Sequence, residues 1–159
     1  MTLPYYDIID FPGIPDELIL SLEQIYELDN TFINQNNKWE YAAFSPNKYL
    51  KEYLQDMFDE EIVSKYQVIR EDLPVHVDYK ITGVKYNYII STGGNNVKTR
   101  WYDNLEKPRT IIHEVISKPL QWHSLNIEIP HNVCNVTSPR LSVVIRSLSG
   151  DPLQLKNKS

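Results

Sequence analysis

Near its C-terminal end the chain reads Arg140-Leu141-Ser142-Val143-Val144-Ile145-Arg146-Ser147. Successive side chains of a strand point to opposite faces, so Leu141, Val143, Ile145 and Ser147 share one face, and Arg140, Ser142, Val144 and Arg146 share the other. The apolar face needs a cover. With that face covered from outside, the second face lines the inside of a barrel, where a bare guanidinium is costly unless an anion meets it. An inward Arg140 therefore asks for an acidic ligand.

Working back from this strand, the runs Ser64–Arg70, Gly83–Ser91, Val97–Tyr102, Arg109–Ser117 and Trp122–Ile129 are short, rich in β-formers and separated by turn residues, which predicts a sandwich or barrel. Thr92-Gly93-Gly94-Asn95-Asn96 is a turn cluster, and Pro74 and Pro130 punctuate strand ends. The cover comes from two amphipathic helices. One runs from Pro15 to about Asn30, with Leu18, Ile19, Leu22, Ile25 and Tyr26 at helical spacing and Asp16 and Glu17 at its positive start. The other opens at Ser45-Pro46, Ser as cap and Pro as first helical residue, and carries the stripe Leu50, Tyr53, Leu54 and Met57. The expected organisation is a single domain, 1–159, with helical support over about 1–60, a β core over about 62–147 and a polar tail over about 152–159. Gln154–Ser159 is expected to fray.

A chain of 159 residues, 42% hydrophobic and 23% charged, suits one globular domain. Its net charge of −5, with no Lys/Arg run, lacks the electrostatic footprint of a duplex-binding protein, and nucleic acid is disfavoured as a partner. A lone Cys134 excludes an intramolecular disulfide and a four-thiolate zinc site. The start, Met1 to Asp7, has neither the basic nor the apolar region of a signal peptide, and no stretch approaches the roughly 18 apolar residues of a membrane helix. A cytoplasmic protein, of a bacterium or a phage-infected cell, is expected, and the sequon Asn135-Val136-Thr137 then carries no weight.

His76-Val77-Asp78 places two metal-ligating side chains at i and i+2, pointing the same way on an extended chain. His131 follows Pro130, 53 residues after Asp78, enough chain for strands to double back and deliver it. Two imidazoles and one carboxylate on one side of an ion leave three positions open, the arrangement of non-haem Fe(II) oxygenases. Arg140 lies nine residues after His131 and Ser142 eleven. A guanidinium fork beside a hydroxyl suits a carboxylate.

The pattern His-x-Asp, a distal His and Arg-x-Ser resembles the Fe(II)/2-oxoglutarate-dependent oxygenases. The run Leu73-Pro74-Val75-His76-Val77-Asp78, with Lys85-Tyr86-Asn87 after it and Trp122-His123-Ser124-Leu125-Asn126 before Pro130-His131, looks like the short stand-alone members met in bacteria and phages, near the prolyl and aspartyl/asparaginyl hydroxylase branches. The likeness covers residues 62–147. It implies a double-stranded β-helix, the jelly-roll or cupin-like barrel, with helices packed on one sheet. It implies Fe(II) on His76, Asp78 and His131, with 2-oxoglutarate held by Arg140 and Ser142 and near Lys85 and Asn87. Molecular oxygen is then the co-substrate, a C–H bond of an amino-acid or peptidyl substrate is hydroxylated, and succinate and carbon dioxide are released. The aspartyl/asparaginyl branch has no carboxylate ligand after its first His, so its substrate preference does not carry over to a chain with Asp78.

Other residues have quieter readings. His113 and His123 are expected to be satisfied strand histidines, Cys134 a small hydrophobe, and Trp101 and Trp122 core or pocket wall. Tyr86 and Tyr88 lie opposite Asn87 on their strand, and periodicity does not say which set lines the cavity. Arg146 is a rival anchor, but six residues of strand put it roughly 20 Å from Arg140. Substrate selection is expected on the loops Thr92–Asn96 and Asp103–Pro108. Two other functions compete with the oxygenase: a non-catalytic cupin-like barrel that binds a metal or small acid, and a structural β-sandwich of a virion.

Overall fold

The β-rich run from residue 62 onward forms two antiparallel sheets in the computed structural model, which describes residues 5–28, 41–78 and 83–156. The strands are β1 Tyr6–Ile8, β2 Tyr41–Phe44, β3 Ile62–Ile69, β4 Leu73–His76, β5 Val84–Ser91, β6 Lys98–Tyr102, β7 Ile111–Val115, β8 Trp122–Asn126, β9 His131–Cys134 and β10 Arg140–Ser147. One sheet has the order β1-β8-β5-β10-β3-β2 and the other β4-β9-β6-β7. The fold is mainly β and consistent with a β-sandwich.

β10 sits between β3 and β5, and its alternation decides the layering. Leu141 stands opposite Val68, and Val143 opposite both Tyr66 and Tyr88. These side chains, with Tyr86 and Trp122, join Ile25, Leu50, Leu54 and Phe58 in one buried apolar layer. Val143 and Ile145 are fully buried there. The two tyrosines of β5 thus belong to this outer layer, and Asn87 faces the space between the sheets. Their hydroxyls are used: Tyr86 Oη accepts from the Leu153 amide at 2.9 Å, and Tyr66 Oη accepts from the Leu20 amide at 3.0 Å.

The helices depart from the expected ones. In place of one helix from Pro15, a single 3-10 turn at Asp16–Leu18 is followed by α1, Leu22–Leu28. The break falls where the Leu20 amide is taken by Tyr66, and Ser21 restarts the helix as a capping box: its Oγ accepts from the Gln24 amide while Gln24 Oε1 accepts from its own. The predicted end near Asn30 lies outside the described residues. The second helix, α2, runs Lys48–Gln55, and its cap is Asn47 rather than Ser45, with Asn47 Oδ1 accepting from the Leu50 amide at 3.0 Å. Leu50 and Leu54 are buried beneath it, with Tyr53 and Met57 partly so.

The C-terminal tail is docked as far as Lys156: Leu153 is buried, and the Lys156 amide bonds the Met57 carbonyl at 2.9 Å. Residues 157–159 lie outside the described residues. At Gly93, with φ of 85°, an added Cβ would come within 2.9 Å of the Arg140 Cβ, and the Gly93 carbonyl accepts from the Thr137 and Ser138 amides. The turn before β6 is thereby pinned against the first residue of β10. A register shift between Leu141 and Ser142 in the pairing with β5 falls at the same place, and such irregularities re-aim side chains.

Candidate metal centre

β4 ends on His76 and β9 begins on His131, and the two stand opposite each other in the ladder. Across β9's other edge His131 pairs with Trp101 of β6, which is fully buried. Each histidine bonds a carbonyl two residues earlier: His76 Nδ1 lies 2.7 Å from the Pro74 oxygen, and His131 Nδ1 lies 2.7 Å from the Ile129 oxygen. A carbonyl only accepts, so each Nδ1 carries the hydrogen and each Nε2 is left with its lone pair. Both Nε2 atoms are 3.4 Å from the same oxygen, Asp78 Oδ1.

Three acceptor atoms, all within 4.8 Å of one another, therefore converge on one point. Three acceptors at that range call for a shared positive charge, either a proton on an imidazole or a metal ion. The donor set, two neutral imidazoles fixed through their second nitrogens and one carboxylate, fits a divalent transition metal. The three side chains are 12–18% exposed, so the point is sheltered but reachable.

Lys85 of β5 completes the arrangement, its Nζ 2.9 Å from Asp78 Oδ2. It occupies the oxygen turned away from the imidazoles and leaves Oδ1 to them. Burial alone would raise the Asp78 carboxyl, but N–H donation from the His131 and His76 rings when these carry a second proton, together with the Lys85 charge, outweighs it and holds the group well below the usual carboxylate range. The carboxylate is ionised at any working pH.

The space between the sheets holds the remaining polar groups. With the alternate residues of β5, β8 and β10 in the outer layer, Asn87, His123, Arg140 and Ser142 are turned inward, and all four are buried. Arg140 is 5% exposed, and its guanidinium has no hydrogen bond or ion pair within the described residues. Burial pushes its guanidinium down to about 10, which still leaves it charged at neutral pH. Its side chain lines a cavity of about 250 Å³ together with Thr92, Val97 and Ser117, whose buried Oγ has no partner. Arg146, by contrast, is half-buried at the far end of β10 and donates to the Ser147 carbonyl at 3.1 Å.

Of the residues picked from sequence, His76, Asp78, His131 and Lys85 are in direct contact, and Asn87, Arg140 and Ser142 are buried on the face of β5 and β10 that Lys85 shares. The satisfied histidine expected at position 123 is a correction. His123 is 1% exposed, and neither ring nitrogen has a hydrogen-bond partner; the Gln121 backbone lies nearby but outside bonding geometry. Alternation along Trp122–Asn126 already turned His123 to the face opposite Trp122, but its lack of a partner shows only in the fold. His113 is stacked 5.3 Å from the Tyr5 ring and tilted at 5.5 Å from Trp101. Cys134 is a buried thiol that burial pushes up, away from thiolate chemistry. Among the described residues no helix is long and apolar enough to cross a membrane.

No protein-family model matches the chain, and no curated protein matches it. Among solved structures, the crystal structure of TT1209 from Thermus thermophilus is similar at 17% identity, with 85% of this chain and 99% of that one covered and a TM-score of 0.41. A likeness of that size carries no argument about function.

Proposed function

We propose that this protein is an Fe(II)- and 2-oxoglutarate-dependent oxygenase built on a double-stranded β-helix, hydroxylating a C–H bond of an amino-acid or peptidyl substrate. One observation carries the reading: the lone pairs of His76 and His131 and one oxygen of Asp78 converge on one point, and Arg140 is a buried, unpaired cation on the β10 face that matches the β5 face of Lys85, the Asp78 partner. A metal-binding site alone would not need the second feature. A dicarboxylic keto acid needs both. The strand order supports the β-helix reading, since β3, β5, β8 and β10 fall in one sheet and β4, β6, β7 and β9 in the other.

In this reading each side chain has a defined task. The Pro74 and Ile129 carbonyls fix the imidazole orientations, and Lys85 holds Asp78 so that one oxygen serves as ligand. Arg140 grips the far carboxylate of the keto acid through its fork, with the Ser142 hydroxyl as a further donor. Trp101, fully buried opposite His131 in the ladder, shelters one side of the site. When bound, Fe(II) supplies the activation of oxygen that accompanies oxidative decarboxylation of 2-oxoglutarate to succinate and carbon dioxide. The test is succinate release from 2-oxoglutarate in air with added Fe(II): the wild-type protein forms succinate and His131→Ala does not. Equal rates for the two proteins would refute the assignment.

A further inference from the structure

We propose that His123 is a specificity-determining residue of the same interior, donating a ring N–H to the far carboxylate that Arg140 holds and so selecting dicarboxylic over monocarboxylic 2-oxo acids. The inference rests on the oxygenase reading and deepens it.

Its ground is an unmet need for hydrogen bonds. A neutral imidazole has one donor and one acceptor, and burying both without partners costs free energy that an apolar side chain of similar volume would avoid. His123 leaves both nitrogens unmet at 1% exposure, and Asn87, directly across the ladder from it, leaves its buried Oδ1 unmet as well. Asn87 in turn faces Val144, and Ser142 faces Ile89, so β8, β5 and β10 bring His123 and Asn87 into the same inward layer as Arg140 and Ser142. The Arg140 charge is felt at His123 and, after burial, is what most opposes protonation of the ring. A buried guanidinium and a buried imidazole, both without partners among the described residues, mark a place suited to an acidic ligand. A carboxylate satisfies the guanidinium with one oxygen and the imidazole N–H with the other. The Tyr6 ring, 5.1 Å from the imidazole, closes the other side.

The test is isothermal titration calorimetry with Mn(II) as a redox-inert metal, comparing 2-oxoglutarate with 2-oxobutyrate, which lacks the far carboxylate. Wild-type protein should prefer 2-oxoglutarate by at least about tenfold, equivalent to about 1.4 kcal/mol. His123→Leu should lose about tenfold on 2-oxoglutarate with 2-oxobutyrate unchanged, and His123→Gln, which keeps an amide donor, should recover much of the loss. Unchanged 2-oxoglutarate affinity in His123→Leu, or an equal loss on both acids, overturns the role of His123 and leaves the oxygenase reading standing. Wild-type protein that binds metal and neither acid overturns both. Should the leucine variant fail to fold, the wild-type protein loaded with Zn(II) gives the answer by NMR: the His123 ring resonances should move on adding 2-oxoglutarate and not on adding 2-oxobutyrate, and resonances indifferent to both would contradict the proposal.

Discussion

His76 and His131 face each other across the β4–β9 ladder, and the Nε2 of each lies 3.4 Å from one and the same Asp78 oxygen. The backbone sets this up: each ring is turned by a bond from its Nδ1 to a carbonyl two residues earlier, at 2.7 Å in both cases. Substituting any of the three by Ala should weaken Mn(II) or Fe(II) binding by at least about tenfold, because two remaining ligands chelate a labile divalent ion poorly. His113→Ala should bind metal as the wild type does, since its ring is spent on stacking with Tyr5 and a tilted contact with Trp101. Metal titration monitored by calorimetry reads both, and full affinity in His76→Ala would remove the assignment.

The two arginines of β10 make a second comparison. Arg140 is buried and unpaired within the described residues, whereas Arg146 donates to the Ser147 carbonyl. Replacing Arg140 by Gln should raise the 2-oxoglutarate concentration needed for half-maximal succinate formation by about tenfold or more, equivalent to at least about 1.4 kcal/mol. Arg146→Gln should change it little. The reverse ranking would place the anchor at the other end of the strand.

Packing supplies a third. Val143 is fully buried between the sheet and the helical layer, so Val143→Ala should lower stability by roughly 1–3 kcal/mol through lost burial and the cavity left behind. Urea denaturation measures it, and a change within error would mean that the outer layer is loose.

Much of this was legible in the sequence. The alternation of Arg140 to Ser147 assigned the two faces of β10, because an extended backbone imposes a period of two and β10 pairs with β3 without a break over its whole length. That His76, Asp78 and His131 come together was legible because metal-ligating residue types at such spacing are restrictive. The strands that carry those histidines were not: β4 contains Pro74, which removes a ladder donor, and β9 is four residues long, too short to show a period. The break between Pro15 and α1 was hidden for another reason, since it depends on the Tyr66 hydroxyl 46 residues away. His123 was misjudged because sequence gives the face of a residue and not whether a partner waits there.

Burial of His123 predicts a pH dependence with a defined sign. Burial, aided by the Arg140 charge, pushes its pKa from 6.5 down to about 4. Between those values the unfolded chain binds a proton that the folded protein refuses, so stability falls as pH falls, by on the order of 2–3 kcal/mol between pH 7 and pH 4.5. Asp78, held below its ordinary 3.8, adds its own loss only at still lower pH. Urea denaturation of metal-free protein at the two pH values should show this loss in the wild type and a loss smaller by that amount in His123→Leu. Identical losses would mean that the ring is not buried in neutral form.

Oxygen uptake tests the central claim most directly. With Fe(II) and 2-oxoglutarate both present, the wild-type protein should consume oxygen and release succinate mole for mole, and omission of either should stop both. Stoichiometric metal binding with no oxygen uptake under these conditions, or uptake indifferent to 2-oxoglutarate, would contradict the account and leave a metal-binding fold without this chemistry.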